Sequence, residues 1–159
     1  MEKTDREEVW SIAKGILDKC YLMSLATADE GGAWVAQVVY IADSNFNLYW
    51  LSDQNSRHSR AIEKDPRVAA SICPISGKNQ ETEALQISGI AQKIEGDPLD
   101  LARMRSAKLG IPVPESEGET LVYNDRRFKG KHAWYRLTPR KIDLLFKKRF
   151  GDDKAFLEM

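Results

Sequence analysis

The chain has 159 residues, 42% hydrophobic and 30% charged, with 24 basic and 24 acidic side chains balancing to zero. One ordinary domain with a real core fits that length and mix, whereas a disordered tail, a collagen-like fibre or a disulfide miniprotein does not. Neutrality gives no whole-molecule signal for nucleic acid, and no apolar run approaches the ~20 residues that span a bilayer.

The charged start, Met1-Glu2-Lys3-Thr4-Asp5-Arg6, lacks the apolar stretch of a signal peptide, so a cytoplasmic protein is expected. Thr4 to Asp18 reads as a helix: Thr4 and Glu7 form a capping box, and Val9, Ile12, Ala13, Ile16 and Leu17 follow helical spacing. Its one apolar face is expected to cover the end of a sheet. Tyr21 to Thr27 reads as a strand, leading to a turn at Asp29-Glu30-Gly31-Gly32. Trp34 to Ile41 is the next strand and is apolar on both faces, the mark of a strand central in a barrel or pressed on a partner. Asp43-Ser44-Asn45 turns into a strand from Phe46 to Leu51.

A polar segment from Ser52 to Arg60 leads into a brief helix through Ala61 to Lys64, stopped by Asp65-Pro66. Arg67 to Cys73 is again strand-like, and a turn at Gly77-Lys78-Asn79 precedes a long strand, Glu83 to Ile94, with a bulge at Gly89. Asp97-Pro98 caps a helix that runs to about Leu109. Gly110 to Gly118 is an irregular connection. Two last strands, His132 to Leu137 and Lys141 to Lys147, are joined by a turn at Thr138-Pro139-Arg140. Cys20 and Cys73 lie in apolar contexts without zinc-ligand spacing and are expected as buried free thiols, with no metal site. Six or seven strands in consecutive hairpins, with about three helices, predict a mainly β (α+β) fold. It is an antiparallel split β-barrel with peripheral helices, one domain over residues 1–159.

Chemistry concentrates where the third strand ends and the short helix begins. Ser52, Ser56, Arg57, His58, Ser59 and Arg60 offer hydroxyls, a guanidinium and an imidazole beside the unpaired N–H groups of a helix start. That is the donor set of a phosphate cradle, and equally that of ordinary capping. There is no GxxxxGK[ST] or GxGxxG phosphate loop and no GxSxG elbow. Tyr40, Tyr49 and His58 are available as acid or base groups, but packing or phosphate binding accounts for each.

Leu25-Ala26-Thr27, the Gly turn, the strand Trp34–Ile41, Leu48-Tyr49-Trp50-Leu51-Ser52, Ser56-Arg57-His58 and Asp65-Pro66-Arg67-Val68-Ala69 follow one another with a spacing that resembles the pyridoxamine 5′-phosphate oxidase-like family. The later Trp134-Tyr135-Arg136-Leu137-Thr138-Pro139 and Ile142-Asp143 are similar to that family's closing strands. The resemblance implies an FMN-binding homodimer with the flavin at the subunit interface, acting as a flavin-dependent oxidoreductase on a small molecule that the sequence does not name. It implies that Ser52, Ser56, Arg57 and His58 meet the FMN phosphate, and that Gln37, Val38 and Val39 run beside the flavin ring through their backbone. It also implies a separate branch rather than the oxidase itself: His58 stands where the family commonly has Lys, and the oxidase's strand-opening Arg has no counterpart near Ala36.

Two other readings follow from the residues. A drifted cradle suits a binding module without turnover, for flavin, haem or another phosphorylated ligand. The basic run from Arg126 to Phe150 suits an anionic partner, against which the overall neutrality argues.

Overall fold

The computed structural model describes residues 3–74, 82–96, 98–113, 131–151 and 153–159, with side chains from residue 6 onward. In chain order the elements are α1 (Lys3–Lys19), β1 (Leu22–Asp29), β2 (Gly32–Ala42), β3 (Leu48–Asp53), α2 (Arg57–Lys64), β4 (Arg67–Ile72), β5 (Glu83–Lys93), α3 (Leu99–Leu109), β6 (His132–Phe146), α4 (Lys147–Phe150) and β7 (Ala155–Glu158). The strand order is β3-β2-β1-β4-β5-β6-β7, every pair antiparallel, and a further β3–β6 pairing closes β1 to β6 into a barrel. This is the mainly β split barrel that the hairpin pattern predicts. No helix among the described residues is long and apolar enough to cross a membrane.

Alternation puts the core inside. In β4 every second residue, Val68, Ala70 and Ile72, is buried, and β3 sends Leu48, Trp50 and Ser52 inward. Trp50 and Tyr135, paired across β3 and β6, stack with centroids 5.6 Å apart. Each fully buried large apolar side chain contributes about 1.5–3 kcal/mol. α1 lays Val9, Ala13, Ile16 and Leu17 into the same core, as its spacing predicts. α3 instead covers the outside of β2, β3 and β6, where Ala102 meets Ile41 and Trp134.

Several boundaries differ from the sequence reading. β3 begins at Leu48, because Phe46 is still in the turn, at φ 62°, with its ring buried against Trp10. A left-handed bulky residue costs roughly 1–2 kcal/mol, offset here by burying the ring. Asp43 fixes that turn by accepting the Asn45 and Asn47 backbone N–H groups at 2.9 and 3.0 Å. α2 begins at Arg57 rather than near Ala61, because Ser56 caps it.

The expected turn at Thr138-Pro139-Arg140 is the middle of one continuous strand. The register shifts between Ser88 and Gly89, so that Ser88 faces Lys141 and Gly89 faces Pro139 with Arg140 in excess. A bulge tolerates the missing Pro N–H. Gly89 is required there, since a Cβ would lie 2.3 Å from the Thr138 carbonyl oxygen.

β7 and α4 were not expected. Cys20 is buried, but Cys73 is exposed, because it lies past the last paired residue of β4. The side chain of Thr4, the turn at Gly77-Lys78-Asn79, Asp97, the segment 114–118 and the start of the basic run lie outside the described residues.

Candidate functional site

The site forms where β3 hands over to α2. Ser52 is the last inward residue of β3 and 7% exposed, so its hydroxyl points into the mouth of the barrel. Four residues on, after a turn, Ser56 caps α2, its Oγ accepting the Ser59 N–H at 3.3 Å and donating to Ser59 Oγ at 2.8 Å. His58 lies in the first turn of α2, and its Nε2 sits 2.9 Å from Ser52 Oγ and 3.2 Å from Ser56 Oγ. Three sequence-predicted residues therefore converge on one point. Burial pushes the His58 imidazole below its ordinary value, so the ring is neutral near pH 7 and its proton sits according to these hydroxyls.

Arg57 goes elsewhere. Its Nε and Nη2 donate to Asp29 Oδ2 and Oδ1 at 2.7 and 2.8 Å, a bidentate pair reaching back to the β1–β2 turn. The same guanidinium lies 4.7 Å from the centre of the Trp34 ring. Arg57 holds the Asp29 carboxyl at about 2, well below the usual carboxylate range. Beside this pair opens a cleft of about 450 Å³ lined by Asp29, Glu30, Gly31, Arg57, Arg60 and Lys64.

The predicted flavin wall is a third place. Gln37 and Val39 share the outer face of β2, where Gln37 Nε2 donates to Ser24 Oγ at 2.6 Å, whereas the Val38 side chain is buried inside the barrel. Outward, β2 exposes Val35 (58%), and at its start Trp34 (42%) is open as well. A groove of about 400 Å³ begins at Val35 and runs over the outer faces of β1, β4 and β5, lined by small side chains such as Ser24, Ala26, Ala69, Ser71 and Ser88 together with Gln86, Lys141 and Asp143. Tyr40 does not contribute to any exposed apolar face: it is 1% exposed, and its hydroxyl donates to the Leu17 carbonyl at 2.9 Å.

As acid or base groups the tyrosines are poor. Burial drives the Tyr40 phenol far above its ordinary value, and burial together with Asp43 raises Tyr49, whose hydroxyl donates to Asp43 at 3.0 Å. Reading the sequence missed Asp29 as a site residue. Ser59 was visible in the polar run. Asp29 read only as a turn residue, and nothing local links it to an arginine 28 positions away.

The geometry fits the donor chemistry of a phosphate monoester in two hydroxyls, an imidazole and a capped helix start, and departs from it in the engagement of Arg57. UPF0306 protein YhbP of Escherichia fergusonii is 25% identical over 130 residues, which are 76% of this chain and 88% of that protein. Among solved structures, General Stress Protein 26 from Bacillus anthracis superposes with a TM-score of 0.66 at 15% identity, covering 95% of this chain and 98% of that one. The haem-binding protein from Mycobacterium smegmatis gives 0.66 at 17% identity, covering 94% of this chain and 57% of that one. These two share the fold. The family model of pyridoxamine 5′-phosphate oxidase matches residues 12–146, from the middle of α1 through the end of β6 and across the whole Ser52–His58 region, so the chain belongs to that family.

Proposed function

We propose that the chain binds FMN as a homodimer and serves as a flavin-dependent oxidoreductase for a small-molecule substrate. The observation that carries this is the meeting of the Ser52 and Ser56 hydroxyls at His58 Nε2, 2.9 and 3.2 Å away, where a strand ends and a capped helix starts. Ser52, Ser56 and His58 would hold the phosphate, with Arg57 as the cation able to join them. The outer face of β2 around Gln37 and Val39 would lie along the ring. The exposed Trp34 and Val35 and the small-residue groove support a second subunit closing over it. When bound, a flavin supplies the hydride chemistry. The protein's share is to position it and exclude water, since Tyr40 and Tyr49 are both bonded away from any such role.

The test is a visible spectrum of the fresh protein followed by titration with FMN, FAD and riboflavin. Saturation by FMN, with riboflavin at least about tenfold weaker for want of its phosphate contacts, is the expected result. Equal affinity for FMN and riboflavin would remove the phosphate role of this site.

A second reading, a binding module without turnover for haem or for a phosphorylated ligand, is favoured by one observation. Arg57 is paired with Asp29 and His58 is held neutral, so neither presents a free cation. A Soret band on adding haem, with no response to FMN, would put this reading first.

A further inference from the structure

Arg57 offers Asp29 the edge of its guanidinium, Nε with Nη2, that a bidentate phosphate contact uses. The β1–β2 turn is shaped to keep it there. Asp29 Oδ1 also accepts the Gly31 N–H at 2.8 Å, which orients the carboxylate toward α2. Gly31 leaves the space: a Cβ at that position would lie 2.9 Å from Arg57 Nη2 and 3.1 Å from Asp29 Oδ1. Trp34, two residues after the turn, supplies the ring face. Three features of one hairpin thus converge on a side chain whose neighbours in sequence, Ser56 and His58, belong to a separate hydrogen-bonded group.

A carboxylate and a phosphate present the same pair of oxygens to a guanidinium, and one edge holds one of them. The two side chains of this pair are 34% and 23% exposed, so the contact is partly shielded yet within reach of a ligand. Asp29 titrates at about 2, so it stays ionised wherever a phosphate ligand is measured, and no physiological pH removes it.

We propose that Asp29 is a built-in competitor for the ligand's phosphate, holding Arg57 on the β1–β2 turn until a phosphate monoester draws it across to Ser52, Ser56 and His58. This rests on the reading of those three residues as a phosphate cradle. The device selects by charge. A terminal phosphate monoester carries close to two negative charges at pH 7 against the single charge of the carboxylate, whereas each phosphate of a dinucleotide's pyrophosphate carries one. Asp29 therefore sets a preference for FMN over FAD.

The experiment titrates the native protein, Asp29→Asn and Asp29→Ser with FMN, FAD, riboflavin and inorganic phosphate. Both variants keep an oxygen for the Gly31 N–H and remove the charge. The competitor predicts that FMN binds about tenfold more tightly or better to both variants, that FAD gains at least as much, and that riboflavin is unchanged. The gain should vanish in the double variant Asp29→Asn/Arg57→Ala. FMN binding that is unchanged or weaker in both variants, with the native protein still binding FMN, overturns the competitor and leaves the cradle intact. An equal gain for riboflavin also overturns it. If neither the native protein nor either variant takes up FMN or inorganic phosphate, the cradle reading falls and the competitor falls with it.

Discussion

At one end of β2 the Lys108 ammonium lies 4.1 Å from the centre of the Tyr40 ring, and at the other the Arg57 guanidinium lies 4.7 Å from that of Trp34. The first cation is half-buried and donates to the Leu17 carbonyl at 3.0 Å, the same oxygen that accepts the Tyr40 hydroxyl. Leu17 belongs to the last turn of α1, so a cation from α3 and a phenol from β2 jointly close the C-terminal end of that helix. The second cation sits at a rim, on a ring that is 42% exposed, and its partner is a surface carboxylate. One pair is walled in by three elements and has nowhere else to go. The other faces an open cleft lined by Glu30, Arg60 and Lys64. The same side-chain chemistry is structural where packing surrounds it and available for ligand where packing stops.

The sharpest way to break this contrast is to remove the two rings. Tyr40→Ala should cost about 3–5 kcal/mol, as for other buried aromatic deletions, and lower the denaturation midpoint strongly. Trp34→Ala should leave the midpoint nearly unchanged while weakening FMN binding and the proposed self-association, with sedimentation as the measurement of the latter. A large loss of stability from Trp34→Ala would erase the distinction between the ends. Next come the cations. Lys108→Ala should cost roughly 1–2 kcal/mol through the lost helix-end and ring contacts, read by chemical denaturation. Arg57→Ala should do little to stability and lower FMN affinity about tenfold or more, read by titration.

The smallest effect expected is on pH dependence. Burial places the His58 imidazole below its ordinary value, so the unfolded chain takes up a proton first as pH falls. The stability this group contributes is present above its unfolded value of about 6.5 and is lost as pH falls below that and through the lower folded-state value. Ligand binding has the opposite sign. A phosphate beside His58 favours its protonated form, so FMN affinity should rise from pH 8 to pH 6 in the native protein. That slope should exceed the one for His58→Lys, which shares only the ligand's own titration. Identical slopes would mean that His58 donates as a neutral ring.

The sequence went far toward the site and stopped at its partners. Ser52, Ser56 and His58 were legible because strand end, cap and first helical turn are local features, and four to six residues of chain cannot carry them far apart. The role of Arg57 was legible only in type: a guanidinium near a helix start binds an anion, but which anion depends on what the fold brings beside it. The resemblance grouped Val38 with Gln37 and Val39 through their backbone; the pleat, which only the fold orients, turns the Val38 side chain into the core. The strand Trp34 to Ile41, apolar on both faces, read as either central in a barrel or pressed on a partner along its whole length. The arrival of α1 and α3 over its second half buries Tyr40 there.

By itself the sequence determined the barrel class, the strands of the hairpins and the bulge at Gly89. All of these follow from periodicity, turn chemistry and steric limits acting over a few residues. Only the tertiary structure decided that β6 runs through Pro139 as one strand, because the register that makes it a bulge is set by β5, some fifty residues earlier. Only the tertiary structure decided that Arg57 faces Asp29. Pairing across 28 residues depends on where a hairpin and a helix come to rest, and no local preference encodes that distance.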